Sequence, residues 1–191
     1  MGGFSVKPLD MATWPDFCRL VERHNGIWGG CWCVNFHPEG AKRAESVAAR
    51  RQMKERRVRT GTTQAALVYD GAACIGWCQF GRPEELTNIK HKRAYNDGLE
   101  ALPDWRITCF FTDKAWRGKG VAAAALDGAL REIARLGGGT VESYPEETAG
   151  RSVAGAFLYN AAISIFERRG FARTRRIGKH CWVVAKAVAP G

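Results

Sequence analysis

The chain of 191 residues is long enough for one domain with a buried core, and its hydrophobic fraction of 46% and charged fraction of 25% are ordinary for a globular protein. No apolar run approaches the roughly 18 residues of a membrane span, and the N-terminal "MGGFSVKPLDM" lacks the apolar segment of a secretory signal. We therefore expect no membrane partner. The net charge of +10 leaves three kinds of ligand open: nucleic acid, an anionic cofactor or an acidic substrate.

The first half of the chain is predicted to alternate short strands and helices. "FSVKPL" predicts a strand, and residues 13–23 predict a helix with a proline in its first turn. A glycine-rich aromatic loop, "GIWGGCWCVNFHPEG", separates this helix from a basic helix over residues 42–58. Two apolar runs that meet at Asp70 and Gly71 then predict a β-hairpin.

The second half begins with a polar stretch over residues 81–104. "WRITCFFT" follows, and its apolar run predicts a strand buried on both faces. The next helix runs to about Leu136, with an apolar stripe on one face and an i,i+4 pair of Asp127 and Arg131 on the other. "TVESY" predicts another strand, residues 155–170 predict a helix, and the last residues predict a closing hairpin.

Two glycines and two cations stand directly before the helix that starts near residue 121. Glycine weakens a helix, but the N–H groups of a helix N-terminus bind phosphate, and glycine lets the phosphate approach closely. The P-loop pattern is absent. Gly118, Gly120 and Ala123 meet the dinucleotide pattern GxGxx[GA], and Glu142 stands where a ribose-binding acid would. Too few residues follow, however, for a dinucleotide-binding fold.

A third phosphate-binding pattern fits more of the chain. The segment from Arg117 to Ala122 reads Arg-x-x-Gly-x-Ala, and a strand and a helical stretch with Asn160 and "FERRGF" follow. This combination resembles the GNAT superfamily of N-acetyltransferases over residues 62–188. The resemblance implies one GNAT-like domain over residues 1–191, of the mixed α/β (α+β) class. Its central sheet would be mostly antiparallel, flanked by helices and splayed at the acyl-CoA site.

The resemblance also implies acetyl-CoA as co-substrate and assigns its parts to residues of this chain. The backbone of Phe111 and Thr112 would hold the pantetheine arm and the thioester carbonyl, and Asn160 would touch the same arm. Arg117 and Lys119 would add positive charge beside the pyrophosphate. The backbone amides expected to face the pyrophosphate are those of Gly118, Lys119, Gly120, Val121, Ala122 and Ala123.

The groups that transfer protons are harder to assign. Many members of the superfamily use a tyrosine as the acid, but the matching position here is Phe166, which has no proton to give. Tyr159 is expected to face another way on its helix. Glu142 and Tyr144 share one face of their strand, so we expect Glu142 to help remove the amine proton and Tyr144 to point into the acyl cleft. Direct attack assisted only by a chain of water molecules is the alternative.

The seven cysteines are an odd number, which favours reduced thiols in the cytoplasm over a disulfide framework. Cys31, Cys33, Cys74 and Cys78 could supply four thiolates to zinc, but their CxC and CxxxC spacings match a zinc site poorly. We therefore expect buried thiols and no metal.

The sequence as a whole predicts transfer of an acetyl group from acetyl-CoA to the amine of a small molecule. The expected acceptor walls are aromatic, at Trp28, Trp32, Phe36, His91 and Tyr95. Such a lining suits a small neutral or acidic amine with an apolar body better than a polyamine. A protein N-terminus or lysine as acceptor, or a non-catalytic acyl-CoA-binding module, are the alternatives. We do not expect nucleic acid as a partner, because the basic segments resemble no nucleic-acid-binding motif. The sequence does not determine the oligomeric state, for which a homodimer is one option.

Overall fold

The computed structural model describes residues 3–27, 29–40, 46–155 and 158–191. In these residues seven strands form one sheet: β1 (Ser5–Pro8), β2 (Gln64–Asp70), β3 (Ala73–Gly81), β4 (Trp105–Thr112), β5 (Gly139–Ser143), β6 (Ala172–Arg176) and β7 (Trp182–Val188). The α-helices are α1 (Trp14–Arg23), α2 (Val47–Arg59), α3 (Lys92–Asp97), α4 (Val121–Arg135) and α5 (Ile163–Glu167). Among the described helices, none combines the length and the apolar character that crossing a membrane requires.

The strands lie in the order β1-β2-β3-β4-β5-β7-β6. The β4–β5 pair is parallel and the other described pairs are antiparallel, so the predicted mixed, mostly antiparallel sheet is confirmed. β5 pairs with β4 only along Trp105–Ile107, whereas β4 continues to Thr112. The sheet therefore opens between these two strands beyond Ile107.

The segment before α5 fills this opening. The N–H of Phe110 on β4 donates to the carbonyl of Tyr159 at 2.6 Å, and the N–H of Ile163 donates to the carbonyl of Glu146 at 2.9 Å. Among the described residues of the predicted helix over 155–170, regular helix begins only at α5, so the prediction is wrong for residues 158–162. The physical reason is tertiary: the sheet uses the Tyr159 carbonyl, and Ala161 has a φ of 61°, which no α-helix accommodates.

Two apolar layers cover the faces of the sheet. On one face α4 buries Leu126, Ala129 and Ile133 against the strands. On the other face α1 buries Phe17, whose ring lies 4.8 Å from that of Trp77 on β3. The central strands are thus buried on both sides, which fixes β4 and its open end in place.

One side-chain pair differs from the prediction. Asp127 pairs with Arg169 instead of Arg131, and the Arg169 guanidinium binds both carboxylate oxygens. A bidentate arginine–carboxylate pair is stronger than an exposed pair along one helix, so the chain after α5 is tied to α4. The basic helix is α2, and its predicted start at residue 42 lies outside the described residues.

Candidate functional site

The turn between β4 and α4 contains two glycines whose backbone conformation requires glycine. Gly118 has a φ of 75° and Gly120 a φ of 85°, values that residues with a Cβ rarely adopt. A Cβ at either position would meet no atom within 4 Å, so crowding is not the reason. The Gly120 carbonyl accepts from the Ala124 N–H at 3.0 Å. The N–H groups in the first turn of α4 therefore have no acceptor within the helix.

A cavity of about 490 Å³ lies over this turn, and we call it the glycine-loop cavity. Its lining includes the following predicted cofactor residues: Phe111, Thr112, Arg117, Gly118, Gly120, Val121, Ala122 and Ala123. Arg168 adds a second guanidinium, and Phe110 and Leu158 add apolar wall. A helix N-terminus beside two guanidinium groups is an arrangement that suits a phosphorylated ligand.

Two predicted cofactor residues are not part of this lining. The Lys119 ammonium lies 4.8 Å from the centroid of the Trp116 ring. Asn160 is buried, and neither its side-chain oxygen nor its nitrogen has a hydrogen-bond partner among the described residues. A buried amide without partners costs stability, so Asn160 has bonding capacity left for a ligand.

A second cavity, of about 380 Å³, adjoins the first, and we call it the Tyr159 cavity. It is lined by Cys31, Asn35, Phe36, Asn88, Ile89, Lys90, Cys109 and Tyr159. Consecutive residues line opposite cavities. Cys109 and Tyr159 line the Tyr159 cavity. The residues next to them in the chain, Phe110 and Leu158, line the glycine-loop cavity. The two cavities thus lie on opposite faces of β4, at its open end.

The Tyr159 side chain is half-buried and lines the Tyr159 cavity. Its hydroxyl has no hydrogen bond to any described residue, its ring lies 5.9 Å from that of Phe36, and the Lys90 ammonium lies 5.8 Å from its centroid. Burial raises the pKa of Tyr159, an effect that the Lys90 charge partly offsets. The hydroxyl therefore stays protonated at neutral pH and can give a proton.

Sequence reasoning missed Tyr159 because the predicted helix turned it away from the site. A signal was present, since Phe166 lacks the expected hydroxyl and Tyr159 is a nearby residue that has one. The Phe166 ring packs edge-to-face against Phe110 and Phe171 in the core on the α4 face. Phe166 therefore contributes to the packing of the core and cannot donate a proton.

Glu142 and Tyr144 belong to a polar cluster on the far side of the opening. The Tyr95 hydroxyl donates to Glu142 Oε2 at 2.8 Å, and the Tyr144 hydroxyl approaches the same oxygen at 3.4 Å. Burial raises the pKa of Glu142, against the effect of Tyr95 and Arg106, and raises the pKa of Tyr144. Neither Glu142 nor Tyr144 lines either of the two cavities. Any catalytic role would therefore act through intervening groups, and these assignments stay a prediction.

The aromatic residues predicted to line the acceptor site divide among several places. Phe36 lines the Tyr159 cavity. Trp32 is buried in the core on the α1 face, so the prediction that it lines the acceptor site is wrong. Tyr95 is bonded to Glu142, and the His91 ring packs against the backbone of Gly178. Trp28 lies outside the described residues.

Comparison with known proteins bears on the fold. No family model matches the chain, and no curated protein sequence matches it. Among solved structures, a protein described as a GNAT-family acetyltransferase from Desulfovibrio desulfuricans aligns with a TM-score of 0.55 and 13% identity, over 98% of this chain and 100% of that one. An N-acetyltransferase from Staphylococcus aureus aligns at 0.52 and 12%, over 100% of both chains. NAA60 from Arabidopsis thaliana, in complex with acetyl-CoA, aligns at 0.54 and 14%, over 97% and 99%.

Proposed function

Because this chain has the fold of the GNAT acetyltransferases, we propose that it transfers an acetyl group from acetyl-CoA to the amine of a small molecule. The observation that carries the proposal is the pair of adjoining cavities at the open end of β4. One offers a helix N-terminus and two guanidinium groups to a phosphorylated donor. The other, on the opposite face of β4, is large enough for a small acceptor.

In this proposal acetyl-CoA occupies the glycine-loop cavity. The pyrophosphate lies against the N–H groups in the first turn of α4, in a cavity that Arg117 and Arg168 also line. The pantetheine arm follows the edge of β4 past Phe111 and Thr112, where β5 no longer pairs with it. The unpartnered amide of Asn160 bonds to this arm. The open space beside the two loop glycines leaves room for the phosphates.

The amine acceptor occupies the Tyr159 cavity. Phe36 and Tyr159 provide apolar surface, and the Asn35 amide provides polar groups. The lining has no carboxylate among the described residues, and its one ammonium, Lys90, is paired with Glu146. A polyamine needs several carboxylates around it, so an aromatic amine or an amino-acid derivative fits this cavity better.

In this scheme the acetyl group is transferred directly from donor to acceptor at the open end of β4. The amine nitrogen attacks the thioester carbonyl directly, the C–N bond forms, and the C–S bond breaks. Tyr159 is the acid in this scheme, because its protonated hydroxyl has no competing partner and can donate to the leaving thiolate. The hydrogen bond from Phe110 N–H to the Tyr159 carbonyl holds this residue beside β4.

Removal of the amine proton is assigned to Glu142 through water, with Tyr144 as its neighbour. The raised pKa of Glu142 makes this carboxylate a stronger base than an exposed one. Because Glu142 lines neither cavity, one or more water molecules would carry the proton to it from the amine.

The test is thiol release from acetyl-CoA with a panel of acceptors, followed by mass spectrometry of the products. The panel contains aromatic amines, amino-acid amides, spermidine, kanamycin and peptides with free N-termini. We expect acetylation of aromatic or amino-acid amines. Turnover of spermidine or kanamycin alone would overturn the acceptor class. Turnover of peptides alone would make the protein a protein acetyltransferase, and acetyl-CoA binding without turnover would make it a binding module.

A further inference from the structure

The lining of the Tyr159 cavity contains one charged side chain, to which the proposed acetyl transfer gives no role. This side chain is Lys90, which follows the buried Ile89 and precedes α3. The other lining side chains are apolar, amide, thiol or phenol groups, which are uncharged at neutral pH. The Lys90 ammonium is therefore the nearest charge that a ligand in this cavity meets.

A buried carboxylate holds this ammonium in place. The Lys90 ammonium donates to Glu146 Oε1, and Glu146 is 8% exposed. The Glu146 backbone is fixed by the segment before α5, because its N–H donates to the Ala161 carbonyl at 3.2 Å and its carbonyl accepts from the Ile163 N–H. Glu146 does not line the cavity. It therefore orients Lys90 without presenting negative charge to a ligand.

Two cations share the Glu146 carboxylate, because the Arg151 guanidinium lies 3.8 Å from its Oε2 atom. The three side chains together have one positive charge in excess. Burial lowers the pKa of Lys90, but the hydrogen bond to Glu146 and the Glu146 charge outweigh burial and raise it, so the ammonium is charged at neutral pH. Of the three, only Lys90 lines the cavity. The closest charge has the largest effect on a ligand, so the site favours an anionic group.

The Lys90 ammonium also has hydrogen-bonding capacity left. It has three N–H donors, and Glu146 is its one acceptor among the described residues. The ammonium lies 5.8 Å from the centroid of the Tyr159 ring, which lies 5.9 Å from the Phe36 ring. A ligand that uses both features has a negatively charged oxygen and an apolar body.

We propose that Lys90 binds a carboxylate of the acceptor, so that the acceptor is an amino acid with an apolar side chain. The inference rests on the proposed function, because it names the substrate class of the same cavity. The side chain of the amino acid packs against Phe36 and Tyr159, and its carboxylate accepts from the free N–H donors of Lys90. The carboxylate takes no part in the transfer of the acetyl group, so its removal weakens binding and leaves the chemistry unchanged.

The experiment compares ligands that differ only at the carboxylate. N-acetyl-L-phenylalanine and N-acetyl-L-phenylalaninamide are titrated into the full-length protein by calorimetry, and the N-acetyl derivatives of leucine and leucinamide repeat the comparison with an aliphatic body. None of the four contains a titrating amine. We expect the acid of each pair to bind about tenfold more tightly than its amide, which is the usual worth of a hydrogen bond to a charged group.

Variants assign the preference to Lys90. Lys90→Met removes the ammonium, and we expect the acid and the amide to bind this variant equally. Lys90→Gln should lose the preference in the same way, and because it keeps a hydrogen-bond donor for Glu146 it replaces Lys90→Met if that variant does not fold. Lys92→Met is the matched control, since Lys92 is exposed and lines neither cavity, and it should keep the preference.

The outcomes separate this inference from the proposed function. Equal binding of acid and amide to the wild type, no binding of either acid, or a preference that survives in both Lys90 variants overturns the role of Lys90. Acetylation of 2-phenylethylamine with the same KM as L-phenylalanine supports acetyl transfer and overturns the carboxylate requirement. A preference for the acids that depends on Lys90, in a protein that acetylates no amine, supports the carboxylate site and contradicts the proposed function.

Discussion

The Tyr159 side chain combines three properties that a proton donor needs. It lies in a cavity, its hydroxyl has no competing partner among the described residues, and the hydroxyl carries a proton at neutral pH, although burial raises its pKa and so makes it a weaker acid. Phe166 has none of these properties, because its ring is enclosed by Phe110 and Phe171. In the proposed reaction the proton donor therefore lies in the segment before α5, whereas the resemblance to the GNAT superfamily places it in α5, at position 166.

Replacing Tyr159 with phenylalanine removes the proton and keeps the ring. We expect kcat to fall about 10²–10⁴-fold, the usual worth of a general acid, while the Kd for acetyl-CoA is unchanged. Steady-state kinetics and calorimetry measure the two quantities. Tyr69→Phe is the control, because the Tyr69 hydroxyl bonds to Asp16 and lies in neither cavity. A Tyr159→Phe variant with wild-type kcat removes Tyr159 from the mechanism.

Glu142 permits a test through stability as well as activity. Its pKa is raised above 4.5 by burial, so the folded protein holds this proton more tightly than the unfolded chain does. Stability from this group is therefore present at low pH and is lost as the pH rises from about 4.5 through the folded pKa. Glu142→Gln lacks this titration, so its free energy of unfolding should fall less than that of the wild type as the pH rises to about 7.

The same variant tests the proposed base. Denaturant titrations at several pH values give the stability, and the pH dependence of kcat gives the catalytic role. If Glu142 removes the amine proton, the acidic limb of the rate profile should disappear in Glu142→Gln. A shift in stability with an unchanged rate profile would leave Glu142 as a structural residue only.

The start of α4 is the element on which donor binding depends. The strand before it ends at Thr112, and the loop glycines set the direction in which the helix begins. Because the first-turn N–H groups have no acceptor within α4, this end of the helix carries partial positive charge. The buried face of α4 holds it against the sheet, so the N-terminus is fixed in place before any ligand arrives.

Gly120→Glu places a carboxylate where the pyrophosphate is proposed to lie. We expect the affinity for acetyl-CoA to fall about 100-fold or more, through charge repulsion. Calorimetry measures this directly. Gly120→Asn is the matched control, because asparagine tolerates the left-handed conformation at this position and adds no charge. Similar loss of binding in both variants would mean that backbone strain, not charge, is responsible.

A second glycine of α4 sets how closely the helix approaches β1. A Cβ at Gly128 would lie 2.4 Å from Val6 Cγ1 and 3.2 Å from Ala66 Cβ. Alanine favours a helix over glycine by about 1 kcal/mol, but overpacking costs about 1–3 kcal/mol. Gly128→Ala should therefore lower the melting temperature. In a Val6→Ala background the 2.4 Å contact is removed and the two contacts of 3.2 Å, to the Cβ atoms of residues 6 and 66, remain, so the same substitution should lower the melting temperature less. Thermal unfolding by circular dichroism measures both effects, and a stabilising Gly128→Ala in the wild type would show that β1 yields.

Across the whole molecule, the net charge of +10 is partly balanced by local pairs. On α2, Arg51 lies beside Glu22 and Glu55. Arg117 and Arg168, at the glycine-loop cavity, have no acidic partner among the described residues. Positive charge that stays unbalanced at a cavity attracts anionic ligands to it. This distribution favours a phosphorylated small molecule over a broad nucleic-acid surface.

Ligand binding should therefore be visible in the stability of the whole chain. A ligand at 100 times its Kd adds about 2.7 kcal/mol to the folded state, which is roughly 5–11 °C in melting temperature for a domain of this size. We expect acetyl-CoA to give a shift of this order in scanning fluorimetry and NAD to give none. A shift with NAD alone would favour the dinucleotide pattern in the same loop.

The sequence by itself determined the elements whose signals are local. The β2–β3 hairpin at Asp70 and Gly71, the doubly buried β4 and the start of α4 each follow from residues adjacent in the chain, because periodicity and glycine act over a few positions. The glycine-loop part of the candidate site follows from the same kind of signal.

Only the tertiary structure decided which distant groups meet. Asp127 pairs with Arg169, Tyr159 lines a cavity instead of lying on the predicted helix, and the Cys33 thiol donates to Gln79. Each of these outcomes depends on competition between a local preference and contacts made when the sheet closes. The backbone of β4 beyond Ile107 has no strand on one side and bonds the Tyr159 carbonyl. A buried N–H group requires an acceptor. Because the Tyr159 carbonyl accepts from the Phe110 N–H of β4, the segment around Tyr159 does not form the helix that its local sequence favours.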